Sequence, residues 1–127
     1  MQSSSTFEEA MQSWNRLLQV LAKRQCRTIV FSLLSTDPTE QVPLPESAMI
    51  PGEPVDPAQL TVDLQHNYLP TMADAAYIRW SNDPFTVQRG PRFDEPATVI
   101  RLFVDNADEF PSTLWNEELT EKVVTEP

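Results

Sequence analysis

The sequence predicts a mainly α-helical chain with one small β-hairpin, and three observations carry that reading. Apolar residues recur at three- and four-residue spacing through Phe7, Ala10, Met11, Trp14, Leu17, Leu18 and Leu21, the period of a helix with a buried face. Strict alternation is confined to Ile78-Arg79-Trp80 and Phe85-Thr86-Val87-Gln88-Arg89, separated by Ser-Asn-Asp-Pro, as in two short strands joined by a turn. The 127 residues suffice for one domain with a real core and not for two substantial ones.

The first helix is expected over 6–21, because Ser5 with Glu8, and Thr6 with Glu9, have the spacing of a capping box. A second apolar set, Cys26, Ile29, Val30, Leu33 and Leu34, predicts a helix over 24–35 that Asp37-Pro38 closes. Five prolines in the nineteen residues 39–57 exclude one regular element there. They leave room for a short extended piece at 41–44 and one helical turn at 46–50. Asp56-Pro57 then starts a helix, with aspartate as N-cap and proline at the first helical position. Leu60, Leu64, Tyr68, Leu69 and Met72 continue it, and Pro70 should kink it by removing a backbone donor and crowding residue 66. After the hairpin and the Gly90-Pro91 break, Pro96, Val99, Ile100, Phe103, Val104 and Ala107 line one side of a last helix capped by Asp94. Residues 1–110 thus form the domain, and 111–127 an acidic tail expected to fray.

Helix, helix, short strand, short helix, long helix, hairpin, helix is the order of a winged helix-turn-helix with additional N- and C-terminal helices. Hydrophobic content of 40%, with three Trp, six Phe and two Tyr, lets the chain fold despite twelve prolines. Nineteen acids against nine bases leave a net charge of −10. In dilute salt that opposes a nucleic-acid partner. It suits a cytoplasm of very high salt, where screening shrinks to ~3 Å at 1 M. The single Cys26 excludes an intramolecular disulfide and gives no reason to invoke secretion. No apolar run approaches the ~20 residues of a membrane span, so the expected setting is cytoplasmic, with no membrane partner.

Three stretches resemble a known family. "LAKRQCRTIVFSLL" (21–34) resembles the first core helix of the small haloarchaeal winged-helix regulators related to the ArsR group. "LQHNYLPTMADAAYI" (64–78) is similar to their recognition-helix segment, L-x-H-x-x-L-P-x-(L/M)-x-x-A-(G)-x-(I/V), and "RGPRFDE" (89–95) to the passage into their last helix. The resemblance spans about residues 15–110 and implies a winged-helix fold and a setting in potassium-rich cytoplasm. This chain departs from the pattern at Ala76, where relatives usually place Gly. Either the turn there avoids positive φ or it accepts a small strain.

The candidate DNA-reading positions follow from the helix that starts at 57. Leu60, Leu64, Leu69 and Met72 would face the core, leaving Gln59, Thr61, Gln65, His66 and Asn67 outside, where amides can pair with adenine in the major groove. Between Arg27 and Arg79, 51 consecutive residues carry no Lys or Arg and seven acids, so any phosphate grip must come from elsewhere. Arg79, Arg89 and Arg92 on the hairpin and its exit form one candidate group, and Lys23, Arg24 and Arg27 another. The competing reading makes them surface ion pairs worth about 0–1 kcal/mol each.

His66 stands alone and offers no metal site, and Cys26 has a core-facing spacing that predicts a buried, inert thiol. Neither a Gly-rich phosphate loop nor a nucleophile–base arrangement is present, so neither a cofactor nor catalysis is expected. Glu8, Glu9, Glu117 and Glu118 read as solvated helix ends. Trp14, Leu17 and Leu21 from the first helix, with Ile100, Phe103, Val104 and Ala107 from the last, are expected to pair across a two-fold axis in a homodimer. Two functions fit these features: a dimeric DNA-binding transcription regulator, or a winged-helix module that has lost DNA contact and binds protein partners.

Overall fold

The computed structural model describes residues 2–114. Residues 115–127, most of the proposed tail, lie outside the described part, whose end is a short 3-10 turn, Ser112–Leu114.

Helix α1 runs Gln2–Leu21 and α2 runs Arg24–Leu34. The start of α1 precedes the expected residue 6, so Ser5 and Thr6 lie inside the helix and not at its N-cap. With no Gly or Pro before Thr6, the helix propagates back to Gln2. Cys26, Ile29, Val30 and Leu33 of α2 are all fully buried and form the centre of the core, against Leu17, Val20 and Leu21 of α1. The proline-rich segment contributes β1, Val42–Pro43, and one 3-10 turn, Glu46–Ala48. The Ser32 hydroxyl donates to the Ser47 carbonyl at 2.8 Å and pins that turn to α2.

Asp56 caps α3, Pro57–Asp63, its carboxylate accepting the Ala58 N–H at 3.0 Å. The helix then widens into a π turn, Leu64–Tyr68, before α4, Leu69–Asp74. This turn is how the chain accommodates Pro70. The Leu69 N–H reaches back five residues to the Leu64 carbonyl, and the wider ring relieves the crowding that proline imposes on the preceding turn. The same extra residue resets the inner face: Leu60 and Leu64 are followed by Leu69 and Met72, all buried. Together α3, the π turn and α4 make one rod.

Ala76 ends the rod at φ 65°. The Tyr77 N–H donates to the Met72 carbonyl at 3.0 Å and the Ala76 N–H to Ala73 at 2.9 Å, the paired bonds of a left-handed helix C-cap. Of the two possibilities open at Ala76, the chain takes the strained one.

Strands β2, Ile78–Asn82, and β3, Phe85–Arg89, form the expected hairpin, and β1 joins the far side of β3, giving the antiparallel order β1-β3-β2. Ile78, Trp80 and Asn82 pair with Arg89, Val87 and Phe85; Arg79 and Ser81 pair with Gln88 and Thr86. Ile78, Val87 and Val42 are buried, so the first set faces the core and the second stands on the outer face. Gly90 is required at the hairpin exit, because a Cβ there would lie 2.6 Å from the Ala76 carbonyl oxygen.

Helix α5, Asp94–Asp105, corrects two expectations. Asp94 is its first residue and makes no capping bond; buried Phe93 precedes it and its carbonyl accepts the Ala97 N–H at 3.0 Å. Asp94 and Glu95 instead place negative charge at the helix's positive end. Ala107 falls beyond the helix, in a 3-10 turn Ala107–Glu109, and Phe110 folds back so that its ring lies 4.7 Å from that of Phe103. Among the described residues no helix is long and apolar enough to cross a membrane.

Candidate nucleic-acid interface

The rod buries one side and exposes the other. Gln59, His66 and Asn67 are exposed, while Thr61 and Gln65 are half-buried. Three of these five side chains are already engaged: Gln59 Nε2 donates to Asp63 Oδ1 at 3.0 Å, Thr61 Oγ1 to the Pro57 carbonyl at 2.9 Å, and Gln65 Nε2 to Asn82 Oδ1 at 3.0 Å. The last bond ties the π turn to the end of β2. His66 and Asn67 keep side chains without a hydrogen-bond partner among the described residues. Sequence reasoning missed Val62, which is 48% exposed, and Asp63. The signal was available: Val62 lies three residues after Gln59 and four before His66, outside the buried series. The outward ridge therefore carries amides, an imidazole, a methyl pair and a carboxylate, and no cation.

The proposed phosphate grip does not assemble around this ridge. Arg89 Nη2 donates to the Leu33 carbonyl at 2.8 Å and to that of Thr36 at 3.1 Å, and its guanidinium lies 5.0 Å from the centre of the Phe93 ring. It fastens β3 to the end of α2. Arg27 Nη1 donates to the Leu21 carbonyl at 2.7 Å and so satisfies the end of α1; burial, followed by the neighbouring Arg24 charge, lowers its pKa. Arg24 pairs with Glu53 at 2.6 Å and Arg92 with Glu95 at 2.7 Å. Lys23 is half-buried at the N-cap of α2. Arg79 alone of the six is both exposed and without an ion-pair partner among the described residues. Strand alternation puts it on the outer sheet face, away from Asn82 and the rod. The six cations were grouped by sequence position, and position does not show which carbonyl or carboxylate each one meets.

Cys26 is buried, and burial raises its thiol pKa from 9.0 to about 11, against smaller opposing pulls from Lys23 and Arg27. Among the described residues no group of three or more His, Cys, Asp or Glu could hold a metal ion.

The proposed dimer residues divide. Leu17, Leu21 and Ile100 are buried within the chain's own core, and Phe103, Val104 and Ala107 are half-buried. Only Trp14 is strongly exposed, and it belongs to a stripe whose other members the expected interface left out: Phe7, Met11 and Leu18 along α1, with Leu102 on α5. Helix α1 is apolar on two sides, and its inner side is taken by α2 and α5. Between α1 and α5 runs an open groove of about 530 Å³ with Ala10, Trp14, Leu17, Val99 and Leu102 on its walls. Compared with protein-family models, curated proteins and solved structures, the chain matches none of them.

Proposed function

We propose that the chain is a winged helix-turn-helix transcription regulator that binds DNA as a homodimer in a high-salt cytoplasm. The observation that carries the reading is a rod with one buried and one exposed side, braced against a two-stranded hairpin by the Gln65–Asn82 hydrogen bond. Such a rod can enter a major groove as a rigid body. Asn67 offers a free amide for adenine and Val62 an apolar contact for the thymine methyl. Because most candidate cations serve internal contacts, the grip rests on shape and base contacts. Affinity should fall only shallowly with salt, since each phosphate contact contributes about 0.9 to the logarithmic slope. The dimer forms through the α1 stripe around Trp14.

The second reading, a protein-interaction module that does not bind DNA, draws on the same engaged arginines and on the acids Asp56, Asp63 and Asp74 along the rod. Selection from randomised duplexes at about 1 M KCl, where screening is ~3 Å, separates the two. The regulator reading expects an enriched site whose affinity drops about fourfold when thymine is replaced by uracil, the worth of one methyl, with Val62→Ala insensitive to the replacement. Absence of any duplex binding overturns it in favour of the module.

A further inference from the structure

We infer that the outer face of the three-stranded sheet holds a binding niche for a phosphate group. Arg79 and Gln88 are direct cross-strand partners, and Val42 pairs with Val87. Extending that register by one residue sets Gln41 opposite Gln88. Gln41, Gln88 and Arg79 therefore form a row across all three strands, and Thr86 with Ser81 forms part of the next row on the same face. These five side chains, with Trp80, line a cavity of about 120 Å³. None of the five has an internal hydrogen bond or ion pair among the described residues.

Two features give the niche its chemistry. Among the described residues no Asp or Glu lines it, in a chain with nineteen acids against nine bases, so no described carboxylate neutralises the Arg79 guanidinium there. Its fork can donate two parallel bonds to an oxyanion. Two amides and two hydroxyls supply further donors from the neighbouring strands. A carboxylate would be satisfied by the guanidinium alone. A tetrahedral phosphate, with three or four acceptor oxygens, uses the whole set, and the cavity has room for it. The niche stands independently of the proposed function, because the phosphate can belong to a nucleic-acid backbone or to a small phosphorylated molecule.

The test is titration of ¹⁵N-labelled chain with inorganic phosphate at constant ionic strength, following backbone amide resonances. Shifts are expected around Gln41, Arg79 to Ser81 and Thr86 to Gln88, with the half-saturating concentration raised about tenfold or more in Arg79→Ala, the loss of a charge-assisted pair. Arg79 is exposed and its side chain has no hydrogen bond or ion pair among the described residues, so this variant should fold normally. The same resonances moving with a short duplex of arbitrary sequence identify the source as the nucleic-acid backbone. Movement with glycerol phosphate and not with duplex identifies a small ligand, and both results support the niche. Resonances that stay still or drift uniformly with phosphate, or an Arg79→Ala titration identical to the original, overturn it. Failure of the duplex to bind leaves the niche standing and counts only against the regulator reading.

Discussion

Arg89 Nη2 lies 2.8 Å from the carbonyl oxygen of Leu33, so a residue at the end of the hairpin closes the end of a helix 56 positions earlier in the chain. The last carbonyls of a helix have no partner within it. A guanidinium that joins the Thr36 N–H and hydroxyl on the Leu33 carbonyl, reaches the Thr36 carbonyl just past the helix and stacks on Phe93 holds that end closed while anchoring β3. Arg89→Ala should therefore lower unfolding stability by about 2–3 kcal/mol, and Arg79→Ala by less than about 0.5 kcal/mol. Urea denaturation of the two variants side by side measures this. Equal losses would show that Arg89 is an ordinary surface cation.

Ala76 carries the left-handed conformation that its position demands, and its carbonyl accepts the Arg92 N–H at 2.8 Å, just where Gly90 passes. Left-handed backbone costs a residue with a Cβ roughly 1–2 kcal/mol, and glycine loses more chain entropy on folding, which returns part of the gain. Ala76→Gly should raise stability by about 0.5–1 kcal/mol, read as an upward shift of the thermal midpoint. A fall would mean that the methyl packs usefully and that the strain is smaller than φ implies.

How much of this was legible depends on whether a feature is local. Asp56-Pro57, the alternation around Trp80 and Val87, and the apolar face of α2 are written in a few adjacent residues, and the fold follows them. The π turn was half-written: the buried spacing of five from Leu64 to Leu69 is one residue longer than an α-turn permits, and it is the trace of Pro70's accommodation. The candidate site was less legible. Gln65 meeting Asn82, or Arg27 meeting Leu21, depends on how elements meet in space. Leu17 and Leu21 lie in the chain's own core for the same reason: a helix with apolar residues on two sides does not declare which side its own chain will cover.

Cys26 gives a pH test. Its folded pKa of about 11 lies above the ordinary 9.0, so the group's contribution to stability is full below pH 9 and is lost as pH climbs through 11. The loss should reach ~2–3 kcal/mol. Other groups titrate in this window, so the comparison is with Cys26→Ala, in which that component of the alkaline slope disappears. Reaction of the folded chain with a thiol reagent at neutral pH should be slow, limited by opening of the core. Rapid stoichiometric labelling, or an unchanged alkaline slope in Cys26→Ala, would place the thiol outside the core.

The α1 stripe gives the oligomer test, and its charge decides the direction of the salt effect. Residues 10–22 carry a single charge, Arg16, in a chain of net charge −10. Two copies repel least across that surface, and it is also where Met11, Trp14 and Leu18 are 48%, 53% and 55% exposed. Association there removes apolar area from water while keeping the acidic faces apart, so added salt should strengthen it by screening the remaining repulsion. Light scattering should give twice the single-chain mass at high salt and a falling mass as salt is withdrawn. Trp14→Glu, which places a new charge at the centre of the stripe, should give a monomer with unchanged helical circular dichroism. Leu17 cannot serve for this test, because it is 5% exposed and its loss would unfold the core. A monomeric wild type at high salt, or a Trp14→Glu variant that remains dimeric, would remove the stripe as the interface.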